Sequence, residues 1–432
     1  MKVIEYPKRE TWPDLCRRPA IDTKFLERTV ANIIADIREN GDTALRHCSR
    51  IFDKVEMDEF RVTDEEFAEA EALVPEDLKQ AIATAKNNIE KFHAVDAADP
   101  EPVETMPGVT CWRRTVPIES VGLYVPAGSA PLFSTVLMLA IPAGLAGCER
   151  VVITTPPDAN AKTAAAILYT ARLCGVTDVY KIGGAQAIAA LAYGTETVPR
   201  VDKIFGPGNQ FVTEAKLQVL RSGVAIDMPA GPSEVAVLAD ESCVPEFVAA
   251  DLLAQAEHGP DSQVILVSTS RDIIDAVNSA VELQLEALRR RDTAEAAFKN
   301  SRAVLVETLA DGIDFLNEYA AEHLILATAN AEQAALSIRN AGSVFVGNYA
   351  CESAGDYASG TNHTLPTGGA ARSYSGVSVR DFTKTVTLQR ITAEGVRNLA
   401  PVVETMAAAE GLDAHRSAMA IRRESIGGAA NV

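Results

Sequence analysis

The feature that most constrains the fold of this chain is a change of rhythm near residue 115. From there, short β-branched runs (SVGLYV, VVITT, VYKIG, KIFG, VAIDM) alternate with alanine-rich stretches. Glycine-bearing turns, PAGSAP, GGAQA and GPGNQ, follow several of these runs. Strand, turn and helix repeated in this way specify βαβ units, because neighbouring parallel strands need a crossover between them. A second series, VAVLAD, QVILVST, RAVLVE, LILAT and SVFVG, follows with helical segments between its members. The expected class is α/β, with two Rossmann-like parallel-sheet modules in tandem. The second series equally suits a continuation of the first sheet.

The modules sit between helical flanks. Residues 1–112 read as a mainly helical N-terminal segment, 113–235 as the first α/β module, 236–376 as the second and 377–432 as a small helical C-terminal domain. Thr23 is a candidate helix cap, and Asp64, Glu65 and Glu66 place acids in a first turn. Val95 to Pro107 reads as a linker or surface loop, and the tail SIGGAANV as a frayed end. The apolar run from Pro131 to Cys148 carries Ser134, Thr135, Pro142 and two glycines. It reads as a buried helix ending near Pro142 rather than as a membrane span.

Composition narrows the partners. The 432 residues are 47% hydrophobic and 23% charged, ordinary for a chain that buries large cores. Forty basic against 59 acidic side chains give a net charge of −19, which argues against nucleic acid or an anionic membrane. A local basic patch for a phosphate-bearing cofactor is compatible with that charge. The N-terminus lacks a basic-then-apolar signal pattern, and the seven scattered cysteines never form CxxC. A cytoplasmic protein with free thiols is expected.

No GxGxxG is present. The physical need, backbone N–H groups at a helix N-terminus, is met by three turns: Gly183-Gly184, Gly206-Pro207-Gly208-Asn209 and Ala127-Gly128-Ser129. Each is by itself an ordinary tight turn; together they favour a phosphate-bearing ligand. Of six histidines, four have unusual surroundings. Gln255 and His258 are three apart at a predicted helix end, so both face one point. Glu322-His323 pairs a carboxylate with an imidazole just before a strand, suited to acid–base work. Asp356 and His363 share a loop dense in turn residues, and His415 lies near Glu410 and Asp413 at a helix start. His258, His415 and Asp356, with the Gln255 carbonyl, make a nitrogen/oxygen set typical of Zn²⁺, though not at the spacing of a closed zinc motif. Ser233 lies in DMPAGPSE without the G-x-S-x-G elbow of a hydrolase nucleophile, so a structural corner is the simpler reading.

Ten collinear segments resemble the histidinol dehydrogenase family: YVPAGSAPLFSTVLMLAIPA, GGAQAIAALAYGT, KIFGPGNQFVTEAK, IDMPAGPSEVAVLAD, LLAQAEHGPDSQ, NEYAAEHL, AGSVFVG, GDYASGTNHTLPT, GAARSYSGVSVRDF and GLDAHRSAM. The first ~110 residues match only loosely. The resemblance implies oxidation of L-histidinol to L-histidine, through L-histidinal, in two NAD-dependent steps with one Zn²⁺ per subunit. It implies that residues 113–235 bind NAD, with contacts from Tyr124, Gln186 and Asn209. Gln255, His258, Asp356 and His415 would be the zinc ligands and also touch substrate. Glu322 and His323 would be the acid–base pair, His323 also touching substrate, and Ser233, His363 and Glu410 would be further substrate contacts. It implies a homodimer in which His415 and Glu410 come from the neighbouring subunit. Two positions depart from the pattern: Ala321 stands where the family usually has proline, and Cys351 replaces another usual residue. A relative oxidising a different alcohol, or a non-enzymatic metal- or nucleotide-binding protein, are the alternatives; the presence of His363, Glu410 and Glu322-His323 favours histidinol.

Overall fold

The computed structural model describes residues 1–19, 23–96, 101–127, 130–229 and 231–428. The Thr23 side chain, part of the linker, Gly128 and Ser129, and the last four residues of the tail lie outside the described residues. By contacts the chain forms two units: Met1–Val95 with Ile118–Phe382, and Asp96–Pro117 with Thr383–Val432.

The first unit is α/β and holds two separate parallel sheets, so the second series of runs does not continue the first sheet. In space the five-stranded sheet runs Asp178–Lys181, Arg150–Thr155, Ser120–Tyr124, Lys203–Phe205, Ala225–Ile226. Its chain path starts in the middle at Ser120–Tyr124, builds one side, then crosses to the other. That reversal opens a crevice at the carboxyl ends of Ser120–Tyr124 and Lys203–Phe205. The six-stranded sheet runs Lys2–Glu5, Arg302–Leu305, Gln263–Ser268, Glu234–Ala239, His323–Ala327, Ser343–Val346. Its central strands are buried along their whole length, as the unbroken apolar runs of a helix-covered parallel sheet require.

Three sequence expectations need correction. The N-terminal segment is not wholly helical: Lys2–Glu5 is the edge strand of the second sheet, pairing with Arg302–Leu305, and Val103–Met106 and Val109–Pro117 are strands. Residues after 376 are not all helical either. Thr383–Ile391 pairs antiparallel with Val109–Pro117 over nine residues, forming with Val103–Met106 the sheet of the second unit. Two helices, Ala393–Ala409 and Asp413–Gly428, follow it.

The apolar helix does not stop at Pro142 but runs Phe133–Ala146. Proline at 142 cannot donate to the carbonyl of Met138, four residues back. The Asn362 side chain supplies the missing donor, its Nδ2 reaching the Met138 carbonyl at 2.6 Å. The proline therefore docks a distant loop rather than ending the helix. Other local expectations hold. Asp64, Glu65 and Glu66 open the helix Asp64–Leu73, which Thr63 and Glu66 close as a capping box. Among the described residues no helix is long and apolar enough to cross a membrane, and all seven cysteines are free.

Candidate active site

A cavity of about 650 Å³ lies where the carboxyl ends of the first sheet face the amino ends of the second. From the first sheet come Tyr124 and two glycine turns. Gly183 caps the helix Gly184–Tyr193 without a side chain, and the Gly184 N–H donates to the Tyr124 hydroxyl at 3.1 Å. Gln186, buried, lies in the first turn of that helix and lines the cavity.

The second turn, Gly206 to Asn209, leads into the helix Gln210–Leu220. Gly206 has φ 122°, and a Cβ there would lie 2.2 Å from the Tyr124 carbonyl oxygen, so only glycine fits. A buried ion pair braces this turn: Lys216 Nζ stands 2.5 Å from Asp227 Oδ1 and donates to the Gly206 carbonyl, while Asp227 Oδ2 accepts the Gly206 N–H at 2.8 Å. The Asn209 Oδ1 is occupied as the helix cap, accepting from the N–H groups of Phe211 and Val212. Of the third turn, Ala127 lines the cavity.

The second sheet contributes side chains. Arg18 forms a two-pronged pair with buried Glu234 at 2.7 and 2.8 Å and lies over the Tyr319 ring, fixing the amino end of Glu234–Ala239. The Glu234 N–H donates to Glu322 Oε2 at 2.9 Å. His323 begins the next strand, with Nδ1 3.8 Å from Glu322 Oε2 and Nε2 3.3 Å from Asp356 Oδ1. The first contact is too long for a hydrogen bond and the second is misaligned, so both His323 nitrogens and Asp356 Oδ1 are buried without one. Ala320, left-handed at φ 54°, closes the preceding helix, and buried Ala321 leads directly into the pair.

Asp356 is not in a loop, as its small neighbours suggested, but on the short helix Glu352–Tyr357. Its place there, four residues after Glu352, puts both carboxylates on one face. Ligand atoms of His258, Glu352 and Asp356 all lie within 4.8 Å of one another. Gln255, in the last turn of the helix Pro245–Ala256, is buried against Glu352. In the orientation that satisfies both amide atoms, its nitrogen donates to Glu352 Oε2 at 3.1 Å and its oxygen accepts from the Glu234 N–H. The orphaned Asp356 Oδ1 and the neighbouring carboxylate beside an imidazole form a nitrogen/oxygen donor set that fits a divalent cation such as Zn²⁺.

His363 is positioned by the loop that Pro142 docks: Nδ1 lies 2.8 Å from the Asp356 carbonyl and Nε2 3.1 Å from Thr135 Oγ1. Ser233 also lines the cavity. Glu410 and His415 belong to the second unit, where both are exposed.

The electrostatics separate these groups. Burial pushes Glu322 up to about 8. Burial alone would lower His323, but Glu352, Glu322 and Asp356 together raise it to about 10. Glu352 is driven well above the carboxylate range by its burial. His258 exposes part of its surface, yet the surrounding walls lower it, and burial lowers His363. Two carboxyl groups that hold protons near neutrality beside a charged imidazole are the pattern of an acid–base site.

Glu352 is absent from the residues that the sequence singles out, although its i, i+4 spacing from Asp356 is a usable signal. The Lys216–Asp227 brace and Asp53, another residue lining the cavity, carried none.

The family model described as histidinol dehydrogenase matches residues 16–423. The histidinol dehydrogenase of Bacteroides fragilis (strain YCH46) is 54% identical over 99% of this chain and 100% of its own length. That of Escherichia coli (strain K12) is 53% identical over 94% of each chain. A crystal structure of histidinol dehydrogenase from Elizabethkingia anophelis superposes with TM-score 0.96 at 51% identity, covering 99% of both chains. With a family model spanning nearly the whole chain and relatives of more than half identity along it, the chain belongs to the histidinol dehydrogenase family of oxidoreductases.

Proposed function

We propose that this chain performs the last steps of histidine biosynthesis in the cytoplasm, oxidising L-histidinol to L-histidine with NAD⁺ and one Zn²⁺ per subunit. The reading rests on the buried Glu322–His323 pair lying beside His258 and Asp356 in the cavity that two glycine turns enter. In this reading residues 113–235 bind NAD through Tyr124, Gln186 and Asn209, and 236–376 carry the acid–base and metal groups. Residues 377–432 join two copies into a homodimer, so that Glu410 and His415 serve the partner's cavity.

Gln255, His258, Asp356 and His415 would hold the metal, which when bound supplies Lewis acidity toward the substrate's imidazole and amine and offsets the carboxylate field around His323. Relieved of that field, neutral His323 takes the substrate hydroxyl proton at Nε2 while hydride leaves the same carbon for NAD⁺. The products of that step are L-histidinal, NADH and one proton. Because Glu322 Oε2 is held by the Glu234 N–H, its Oε1 is left to take a proton from water once the carboxyl has ionised, at a pH near or above its raised value of about 8. The water oxygen adds to the aldehyde carbon while protonated His323 returns its proton to the carbonyl oxygen, giving a hydrate. The hydride of that hydrate goes to a second NAD⁺ and its hydroxyl proton to His323, which is neutral again. Four electrons leave the alcohol and two NADH form. Ser233 and His363 line the space around the substrate, and the enclosing walls keep the aldehyde from bulk water.

The test is NADH formation at 340 nm from L-histidinol, using protein treated with chelator and protein restored with Zn²⁺. Two NADH per histidinol, lost with chelator and recovered with zinc, supports the assignment. Zinc binding without NADH formation contradicts it.

A further inference from the structure

One carboxylate in the cavity wall has no part in the chemistry above. The helix Thr23–Cys48 kinks at Gly41 and ends in a π-helical turn, Ser49–Asp53, closed by a left-handed Lys54 at φ 59°. A π turn inserts an extra residue and swings the following side chains off the helical register, and such turns are frequent at functional sites. Here the turn brings Asp53 into the cavity wall, together with Thr29 and Ile33 from the helix before it.

Asp53 Oδ2 is buried without a hydrogen-bond partner, and among the described residues no cation pairs with the carboxylate. Burial raises its pKa to about 6, so it is mostly charged at neutral pH. A buried acceptor left unsatisfied is destabilising. Such a group is expected where an incoming ligand donates to it. Its neighbours belong to the first sheet. The Asp53 charge acts on Tyr124, and its helix packs on the helices Gly184–Tyr193 and Gln210–Leu220 that follow the two glycine turns. The donor set and the Glu322–His323 pair come instead from the second sheet.

We propose that Asp53 is a dinucleotide-specificity residue: its carboxylate accepts a ribose hydroxyl of the adenosine half of NAD and excludes a 2′-phosphate. The proposal rests on the NAD reading given above. The chemistry is general, since a carboxylate accepts from a ribose diol and repels a phosphate monoester at the same position.

The experiment compares wild type, Asp53→Asn and Asp53→Ser in steady-state turnover of L-histidinol with NAD⁺ and with NADP⁺, and in binding of NADH and NADPH by fluorescence. Wild type is expected to favour NAD⁺. Asp53→Asn should raise the KM for NAD⁺ about 10-fold, as loss of a hydrogen bond to a charged group implies, with kcat nearly constant. It should also narrow the NAD⁺/NADP⁺ preference by at least about 10-fold, a shift that mere loosening of the fold does not produce. Asp53→Ser, which loses the charge and also shortens the side chain, should narrow the preference while retaining less NAD⁺ affinity than Asp53→Asn. If either folded variant keeps the wild-type KM and preference, the proposal is overturned. If wild type binds neither dinucleotide, the cofactor reading itself fails and the proposal with it.

Discussion

The two parallel sheets meet one cavity with opposite ends. The five-stranded sheet presents strand carboxyl ends and the N-termini of the helices Gly184–Tyr193 and Gln210–Leu220. Free N–H groups and the positive end of the helix dipole suit an anion there. The six-stranded sheet presents strand amino ends, at Glu234 and His323, and the C-terminal end of the helix Pro245–Ala256 at Gln255. Partial negative charge at that helix end, with the carboxylates of Glu322, Glu352 and Asp356, suits a cation. The same βαβ architecture therefore yields an anion cradle or a cation pocket, depending on which edge faces the ligand. At the first edge the available groups are backbone N–H donors; at the second they are side chains.

That contrast can be broken from either side. The largest effect is expected at the second sheet: His323→Asn should lower kcat by about 10²–10⁴-fold, the range for losing a general base. NADH binding should be unchanged; lost binding would mean that the two edges do not act separately.

Next come the two buried ion pairs that hold each edge. Arg18→Met strips the partner from Glu234, and Lys216→Met does the same to Asp227; a broken buried pair costs about 3–5 kcal/mol. Both should lower the denaturation midpoint. Lys216→Met should additionally raise the KM for NAD⁺ more than that for histidinol, and Arg18→Met the reverse. Equal changes in both constants would show that the braces serve the whole fold rather than one edge.

A pH series sharpens the electrostatic half of the comparison. Glu322 and His323 have folded pKa values, about 8 and about 10, above their ordinary ones. Each folded state therefore holds a proton that the unfolded chain releases. The stability this confers is complete below the ordinary pKa and is lost as pH rises through the folded value. Asp356, lowered because His323 outweighs its burial, acts in the opposite sense and only at acid pH. Chelated protein should thus lose stability between about pH 4.5 and pH 10, and Glu322→Gln should flatten the part of that slope below about pH 8. A flat profile in chelated wild type would remove the acid–base argument.

The smallest effect belongs to the first sheet. Asn209→Ala removes a helix cap worth about 1 kcal/mol and should lower the melting temperature by only a few degrees.

Legibility in the sequence follows the same division. Glycine turns after β-branched runs announced the first edge, because close backbone approach requires those residues locally. The pair Glu322-His323 was visible since carboxylate and imidazole are adjacent in the chain. What escaped notice depends on partners far away in sequence. Thr383–Ile391 is a strand because Val109–Pro117 lies beside it, and Lys2–Glu5 because Arg302–Leu305 does. Pro142 continues its helix because Asn362 satisfies the Met138 carbonyl. Asp53 reaches the cavity through a π turn that no short pattern signals.

The central claim is that the first sheet's turns hold the dinucleotide and the second sheet's amino ends hold the metal and the reacting alcohol. A crystal structure of the protein with Zn²⁺ and NAD⁺ tests it most directly. Pyrophosphate is expected at Gly183-Gly184 or Gly206–Asn209, and metal on His258 and Asp356. A dinucleotide seated instead at the carboxyl ends of the six-stranded sheet, near Asp240 and Thr328, would contradict it.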